Sequence, residues 1–243
     1  MRSEGSAHRR WPTALGGAPA SAAGEGTRRQ ARPRIIGERP VSDGPRRQPP
    51  TSASTDALRD RWDQRWSSAA DKTAPVTLLI DRKDLVPRRG TALDLACGLG
   101  GSALELARIG LDVSAWDLSS VAIARLRAAA AVEGLRIDAR VRDVQAEPPG
   151  PASFDLICVV HFLDRGLAPA LAAALRPGGR LFFQTWVGEQ RGGRGPSSPD
   201  YRLRPGELPG LFPTLIVRHY RECGTPSSGF YDQAQLIAES PAG

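Results

Sequence analysis

Apolar residues in this chain fall in short runs between glycine-containing breaks, and the period of the runs changes along the sequence. From Asp56 onward Leu58, Trp62 and Trp66 recur at four-residue spacing, the signature of one helical face, with Thr55 or Asp56 available as a cap. A second helix is predicted over 75–85. Alternating units follow: strand 91–96, helix 101–109, strand 112–116, helix 119–133, strand 136–141, strand 154–160, helix 167–175 and strand 180–186. Strands that alternate with helices must be joined by crossovers, so they line up in parallel with helices on both faces. After a Gly/Pro/Ser-rich loop over 188–199 come a short helix over 205–211 and strands over 214–221 and 229–239. No long helix separates those last two strands, so they predict an antiparallel hairpin that closes the sheet. The fold class is α/β: a doubly wound, mostly parallel sheet of seven strands with one antiparallel strand near the edge.

The first 55 residues break this pattern, holding seven Gly, seven Pro and ten Arg against four acids. They offer too little apolar surface to offset the entropy of ordering, and are expected to be a disordered extension, with the folded domain over 56–243. Most of the formal net charge of +7 sits in that arm, and the remainder of the 243 residues is close to neutral. The charge therefore makes a weak case for nucleic acid as partner. No apolar run approaches the roughly 18 residues of a membrane span, so no membrane role is expected. Cys97, Cys158 and Cys223 are odd in number and widely spaced, which argues against a disulfide framework and for a reducing cytoplasm. With only His8, His161 and His219 and no C-x-x-C pair, no metal site is predicted.

The segment Ala92-Leu93-Asp94-Leu95-Ala96-Cys97-Gly98-Leu99-Gly100-Gly101-Ser102 is an apolar strand that ends in a glycine loop and opens into a helix. Glycines admit a ligand close to the backbone, and the helix start presents free N–H donors. Gly98-x-Gly100-x-x-Ala103 also satisfies a dinucleotide fingerprint, and Asp117 lies 17 residues beyond Gly100, so a nicotinamide enzyme has to be weighed. Asp94 shifts the balance, because a carboxylate there repels a pyrophosphate but suits an ammonium group. Asp143, in Val141-Arg142-Asp143-Val144, ends the third strand, where a side chain can reach an adenine amino group. Leu175-Arg176-Pro177-Gly178-Gly179 turns a helix into the fifth strand.

In this order the motifs resemble those of the class I S-adenosylmethionine-dependent methyltransferases, over roughly Asp56 to the C-terminus. The resemblance implies a Rossmann-like sheet and S-adenosyl-L-methionine as cofactor. It further implies that Ala96, Cys97, Gly98, Leu99 and Gly100 line the methionine part, with Asp94 toward the ammonium. Asp117 and Leu118 would take the ribose, and Asp143 with Val144 the adenine. Ala96 stands where the family usually has glycine. Trp62-x-x-Arg65-Trp66, Val113-Ser114-Ala115-Trp116-Asp117 and Tyr201-Arg202-Leu203-Arg204-Pro205 are similar to the small bacterial tellurite-resistance and thiopurine-type methyltransferases. The implied partner is a small-molecule methyl acceptor, with sulfur, oxygen, nitrogen and chalcogen all open.

Acceptors in this fold lie after the fourth strand, at His161-Phe162-Leu163-Asp164-Arg165, where His161 would take a proton and Asp164 or Arg165 would orient the acceptor. An Asn/Asp-Pro-Pro-aromatic sequence and a Pro-Cys pair are both absent, which weighs against adenine, glutamine and cytosine carbon-5 acceptors. Trp62, Arg65 and Trp66 read equally as core or as a lid, with Arg65 meeting the cofactor carboxylate. Trp186, Tyr201 and Arg202 are the candidates for the acceptor wall. Two other functions stay open: an RNA or protein methyltransferase recruited by the basic arm, and a cofactor-binding module without catalysis.

Overall fold

The parallel core is built from β1 (Thr91–Leu95), β2 (Asp112–Asp117), β3 (Ile137–Val141), β4 (Phe154–Val160) and β5 (Leu175–Trp186), and β6 (Ile216–Glu222) and β7 (Gln233–Glu239) complete it. They form one sheet in the order β3-β2-β1-β4-β5-β7-β6, with β7 antiparallel to both of its neighbours. The computed structural model describes residues 52–70, 76–190, 192–222 and 232–243. The expected disordered arm up to residue 51, Cys223, Pro75 and the first residues of the last predicted strand lie outside the described residues.

Helices α1 (Ser52–Ser68), α2 (Thr77–Asp81), α3 (Gly101–Ile109), α4 (Ser120–Val132), α5 (Ala168–Ala174) and α6 (Glu207–Gly210) join and flank the strands. Alternation along each strand sends its side chains to two apolar layers. Leu93, Leu95, Ile157, Val159 and Phe183 pack with Leu167, Leu171, Leu208 and Phe212 on one face. Ala92, Leu156, Cys158 and Phe182 pack with Leu78, Leu79, Leu104, Leu106, Ile123 and Leu126 on the other. Because both faces are covered, β1 and β4 are buried almost end to end, which is why they read as continuous apolar runs.

Several predicted boundaries move. The first helix starts at Ser52, so Thr55 lies inside it and caps nothing, and Asp56 instead pairs with Arg59 at 2.7 Å. The helix predicted over 75–85 is broken: Arg82 leaves the helical region at φ −123°, and a 3-10 turn, Lys83–Leu85, follows α2. A 3-10 turn, Arg165–Leu167, likewise precedes α5. The fifth strand begins at Leu175 rather than residue 180, because the Arg-Pro-Gly-Gly turn is taken up as an irregularity opposite Phe154 and Leu156. Glycine is required at Gly179, where a Cβ would stand 2.8 Å from the Arg176 carbonyl oxygen and 3.0 Å from that of Phe154.

Candidate active site

The strand order reverses between β1 and β4, and open α/β sheets bind ligands beyond the carboxyl ends of the strands at such a point. The structure brings Asp94, the 96–100 loop, Asp117, Leu118, Asp143 and Val144 to these ends. The loop turns sharply, with Gly98 at φ +53° and Gly100 at +75°. Asp117, ending β2, holds it in place: one carboxylate oxygen accepts from the Gly98 N–H at 2.8 Å and the other from the Ser119 N–H at 2.9 Å. Burial raises the Asp117 carboxyl above its ordinary value, with the N–H donors of Ser119 and Gly98 opposing. Asp143 caps the turn after β3, accepting from the Gln145 N–H at 3.0 Å, and Val144 is buried beside Trp116 and Leu95.

Asp94 accepts from the Ala103 N–H at 2.9 Å and so sits against the start of α3. Burial pushes its carboxyl up to about 8, the nearby Asp117 charge adds to the rise, and the Ala103 N–H opposes it. A carboxyl with a raised folded value keeps an extra proton in the folded state between its unfolded and folded values. The ligand-free fold therefore loses stability as pH rises from the ordinary 3.8 toward about 8, and the loss levels off above that. Asp94→Asn is expected to flatten this decline, as read from urea unfolding midpoints between pH 5 and pH 9.

Ala96 adopts φ +53°, a left-handed backbone that costs a non-glycine residue on the order of 1 kcal/mol. Ala96→Gly is expected to raise the unfolding midpoint by about 2–4 °C, measured by calorimetry. The Cys97 and Cys158 thiols are held protonated by burial, which makes them packing groups rather than nucleophiles.

Helix α1 covers the glycine loop. A Cβ at Gly98 would stand 2.8 Å from the Trp66 ring, so only glycine permits this contact. Trp66 stacks on Trp62 with centroids 6.1 Å apart, and the exposed Arg65 guanidinium lies 5.6 Å from each ring. The Trp66 Nε1–H is buried and has no partner among the described residues, a donor left over on the ring that covers the loop. The fastener of this helix is Asp63, which sequence reading passed over between two flagged residues. Its carboxylate accepts from Ser119 Oγ, from Ser120 Oγ at 3.1 Å and from the Val121 N–H at 3.2 Å, at the start of α4. Burial pushes the Asp63 carboxyl up, but these hydrogen bonds together hold it below the ordinary range. Asp63→Ala is expected to cost about 1–2 kcal/mol, as loss of a charged helix cap does, and to increase the solvent exposure of Trp66 in fluorescence quenching.

On the acceptor side, His161 follows β4 with φ +56° and stacks on Trp186, with centroids 4.8 Å apart and planes 21° apart. His161 as a residue is exposed. Desolvation of the inner face lowers its pKa, with Arg194 and Arg65 adding, while the Gln233 hydrogen bond and the Asp232 charge act to raise it; the net effect holds it below the ordinary 6.5. Asp164 accepts from the Gly166 N–H at 2.8 Å and from Gln145 Nε2 at 2.5 Å, so it caps a turn and ties it to the Asp143 loop.

Arg165, expected to orient the acceptor, and Arg202, expected on its wall, are both engaged within the protein. Arg165 pairs with Glu207 through two contacts of 2.6 and 3.0 Å and donates to the carbonyls of Asp200 and Arg202. Arg202 is buried and donates to the carbonyls of Val187, Gly188, Glu189, Arg194 and Pro196. Its five acceptors are all neutral, and their effect is to gather the loop against Trp186. Tyr201 is 44% exposed at the rim. Beyond Trp186, the polar residues of β5 and β7 were not anticipated. Gln184, Gln233 and Gln235 form a buried amide chain next to the His161 backbone, and Asp232 is buried with neither carboxylate oxygen partnered among the described residues. Polar residues spaced two apart in otherwise apolar strands were the available signal.

Residues 92–179 match a family described as a methyltransferase domain. Among curated proteins the chain is 32% identical over 142 residues to the ubiquinone biosynthesis O-methyltransferase of Xanthomonas axonopodis pv. citri (strain 306), covering 53% of this chain and 57% of that protein. It is 37% identical over 119 residues to the protein of the same name from Xylella fastidiosa (strain M23), covering 46% and 48%. The chain thus spans about half the length of the curated relatives it matches. Among solved structures, TehB from Haemophilus influenzae superimposes with a TM-score of 0.58 at 19% identity, over 74% of this chain and 67% of that one. The geranyl diphosphate C-methyltransferase of Streptomyces coelicolor A3(2) does so with a TM-score of 0.59 at 15% identity, over 79% and 99%. At these identities the structural likeness speaks for the fold alone, so the narrower resemblance to the tellurite-resistance group gains no more than that. Sheet order, glycine loop and domain match agree: residues 92–179 are similar to a methyltransferase domain and lie in a sheet that shares its fold with these solved structures.

Proposed function

We propose that this protein transfers a methyl group from S-adenosylmethionine to a hydroxyl of a small-molecule acceptor in the cytoplasm. One observation carries the cofactor half: Asp117, at the end of β2, accepts from the Gly98 N–H of the glycine loop through one carboxylate oxygen and from the Ser119 N–H through the other, forming a single buried acidic cradle at the switch point of the sheet. Each of those oxygens keeps a second lone pair for a ribose hydroxyl. The unpartnered Trp66 Nε1–H over the loop, and Asp94 below it, fit the carboxylate and ammonium of an amino-acid ligand. The O-methyltransferase names of the curated relatives support oxygen as the acceptor atom.

S-adenosylmethionine supplies a methyl carbon on a sulfonium, a leaving group that departs as a neutral thioether. The protein's work is then orientation, exclusion of water and removal of one proton. His161 lies beside Trp186 after β4 and, held below its ordinary pKa, is neutral at pH 7. Its free ring nitrogen accepts the hydroxyl proton as the acceptor oxygen bonds to the methyl carbon. When bound, the cofactor would supply the methyl carbon, with the carbon–sulfur electron pair remaining on sulfur. Trp186 provides an aromatic floor for the acceptor, and Tyr201 borders the entrance.

The test is transfer of isotopically labelled methyl from S-adenosylmethionine to a panel of small phenols, alcohols, thiols and amines, run beside total RNA and protein. Label on a hydroxyl of a small molecule supports the proposal. Label on RNA or protein alone would replace it with the macromolecular reading.

A further inference from the structure

Two buried polar side chains at the crevice end of the sheet have nothing to bond. Asp232 is 2% exposed and Thr185 1% exposed, and among the described residues neither carboxylate oxygen of the first nor Oγ1 of the second has a partner. Their places follow from the strand register. Thr185 stands opposite Ala234 in the β5–β7 pair. One step beyond the last pair, Trp186 with Gln233, the Val187 N–H donates to the Asp232 carbonyl at 3.0 Å. Asp232 therefore lies opposite Val187 and diagonal to Thr185. Diagonal neighbours stand roughly 7–8 Å apart, a separation that one small group set between the two side chains can bridge. The other two corners are apolar, Val187 and the single methyl of Ala234, in a layer shared with Leu208 and Phe212. Buried polar atoms are nearly always bonded, and leaving them bare destabilises a fold. Three bare oxygens side by side fit a site that a ligand completes.

We propose that Asp232 and Thr185 form the subsite that receives a protonated amine of the methyl acceptor, so that the hydroxyl to be methylated belongs to a hydroxylated amine. The inference deepens the reading of this crevice as a hydroxyl methyltransferase site and rests on it. All three bare oxygens accept hydrogen bonds. A protonated amine brings three N–H donors together with the positive charge that a buried carboxylate calls for, whereas a neutral hydroxyl has one hydrogen to give. Position points the same way. His161 directly follows β4 and Asp232 directly precedes β7, so both stand at the rim where the crevice opens. One strand, β5, separates β4 from β7, and strands two apart lie about 9–10 Å from each other. Trp186 ends that intervening strand, where the ring of an acceptor with a hydroxyl at one end and a short aminoalkyl chain at the other would rest. Arg65 and Arg194 act on the His161 ring in the opposite sense to Asp232, so selection of a cation falls on Asp232 itself. The subsite is distinct from Asp94, which lies on β1 with β4 and β5 in between.

The test is calorimetric titration of the full-length protein, saturated with S-adenosylhomocysteine, with tyramine and with 4-ethylphenol. The two probes share ring and hydroxyl and differ only in the terminal amine. Tyramine should bind the wild type about tenfold or more tighter than 4-ethylphenol. Asp232→Asn should abolish that preference, and Thr185→Val, which keeps the shape, should reduce it. Stability supplies a readout that needs no ligand. Asp232→Asn removes a bare buried charge and Thr185→Val a bare hydroxyl, so both variants should unfold at a temperature no lower than that of the wild type at pH 8. A preference for tyramine that is absent from the wild type, or that survives in Asp232→Asn, would overturn the proposal. Lower unfolding temperatures in both variants would also overturn it, by showing the three oxygens to be structural and bridged by ordered water. Asp232-dependent binding of tyramine without transfer of labelled methyl to its hydroxyl would uphold the subsite and overturn the hydroxyl reading of the reaction.

Discussion

Replacing Asp117 by alanine is expected to weaken the binding of S-adenosylhomocysteine at least 100-fold. The side chain holds the Gly98 and Ser119 N–H groups at 2.8 and 2.9 Å, and on the reading above it also accepts from the ribose. A hydrogen bond to a charged group contributes about 1.5–3 kcal/mol, and each 1.4 kcal/mol is a factor of about ten in affinity. Loss of two ribose bonds alone accounts for the expected factor. The glycine loop also loses its anchor, leaving two buried donors unanswered, so the unfolding temperature should fall as well. Asp117→Asn keeps the shape but turns an NH2 toward one of those N–H groups, setting donor against donor. It should fold and still bind at least tenfold more weakly, which isothermal titration of both variants would show. Wild-type affinity in Asp117→Asn would place the ribose elsewhere.

The second large effect is at His161. His161→Asn is the informative change, because asparagine tolerates the left-handed backbone at φ +56°, where alanine adds strain. The variant should lose 10²–10⁴-fold in kcat, the usual contribution of a positioned general base, while its affinity for S-adenosylhomocysteine stays within about twofold of wild type. The pH dependence should change in a defined direction. A neutral base works in its unprotonated form, so wild-type activity rises with pH through the His161 midpoint, below 6.5, and is lost under more acid conditions. In the asparagine variant that limb disappears. A rate measured from pH 5 to pH 8 with saturating cofactor checks both statements.

The parallel core was legible because its strands are buried on both faces and therefore read as apolar runs, and because each turn into a helix is marked by glycine. The placement of the candidate cofactor residues was legible for the same reason: Gly98, Gly100, Asp117 and Asp143 lie on or next to strand ends that the sequence itself punctuates. What escaped depends on contacts between distant segments. Asp63 looks like one more surface acid on a polar helix, and only docking of α1 on α4 turns it into a cap for residues 119–121. Arg165 and Arg202 have the composition of substrate contacts, yet Glu207 and seven backbone carbonyls occupy their donors. Gln233 and Gln235 carry a sequence signal, polar residues two apart in an apolar strand. Their place beside Gln184 follows from the insertion of β7 between β5 and β6, which local periodicity does not encode.

The central claim is that the crevice at the ends of β1 and β2 is a site for an S-adenosyl ligand rather than a nicotinamide dinucleotide. Calorimetric titration of the full-length protein with S-adenosylhomocysteine and, separately, with NADH tests it most directly. Micromolar, one-to-one binding of the first and no heat from the second is the predicted result. Binding of NADH without S-adenosylhomocysteine would contradict the account.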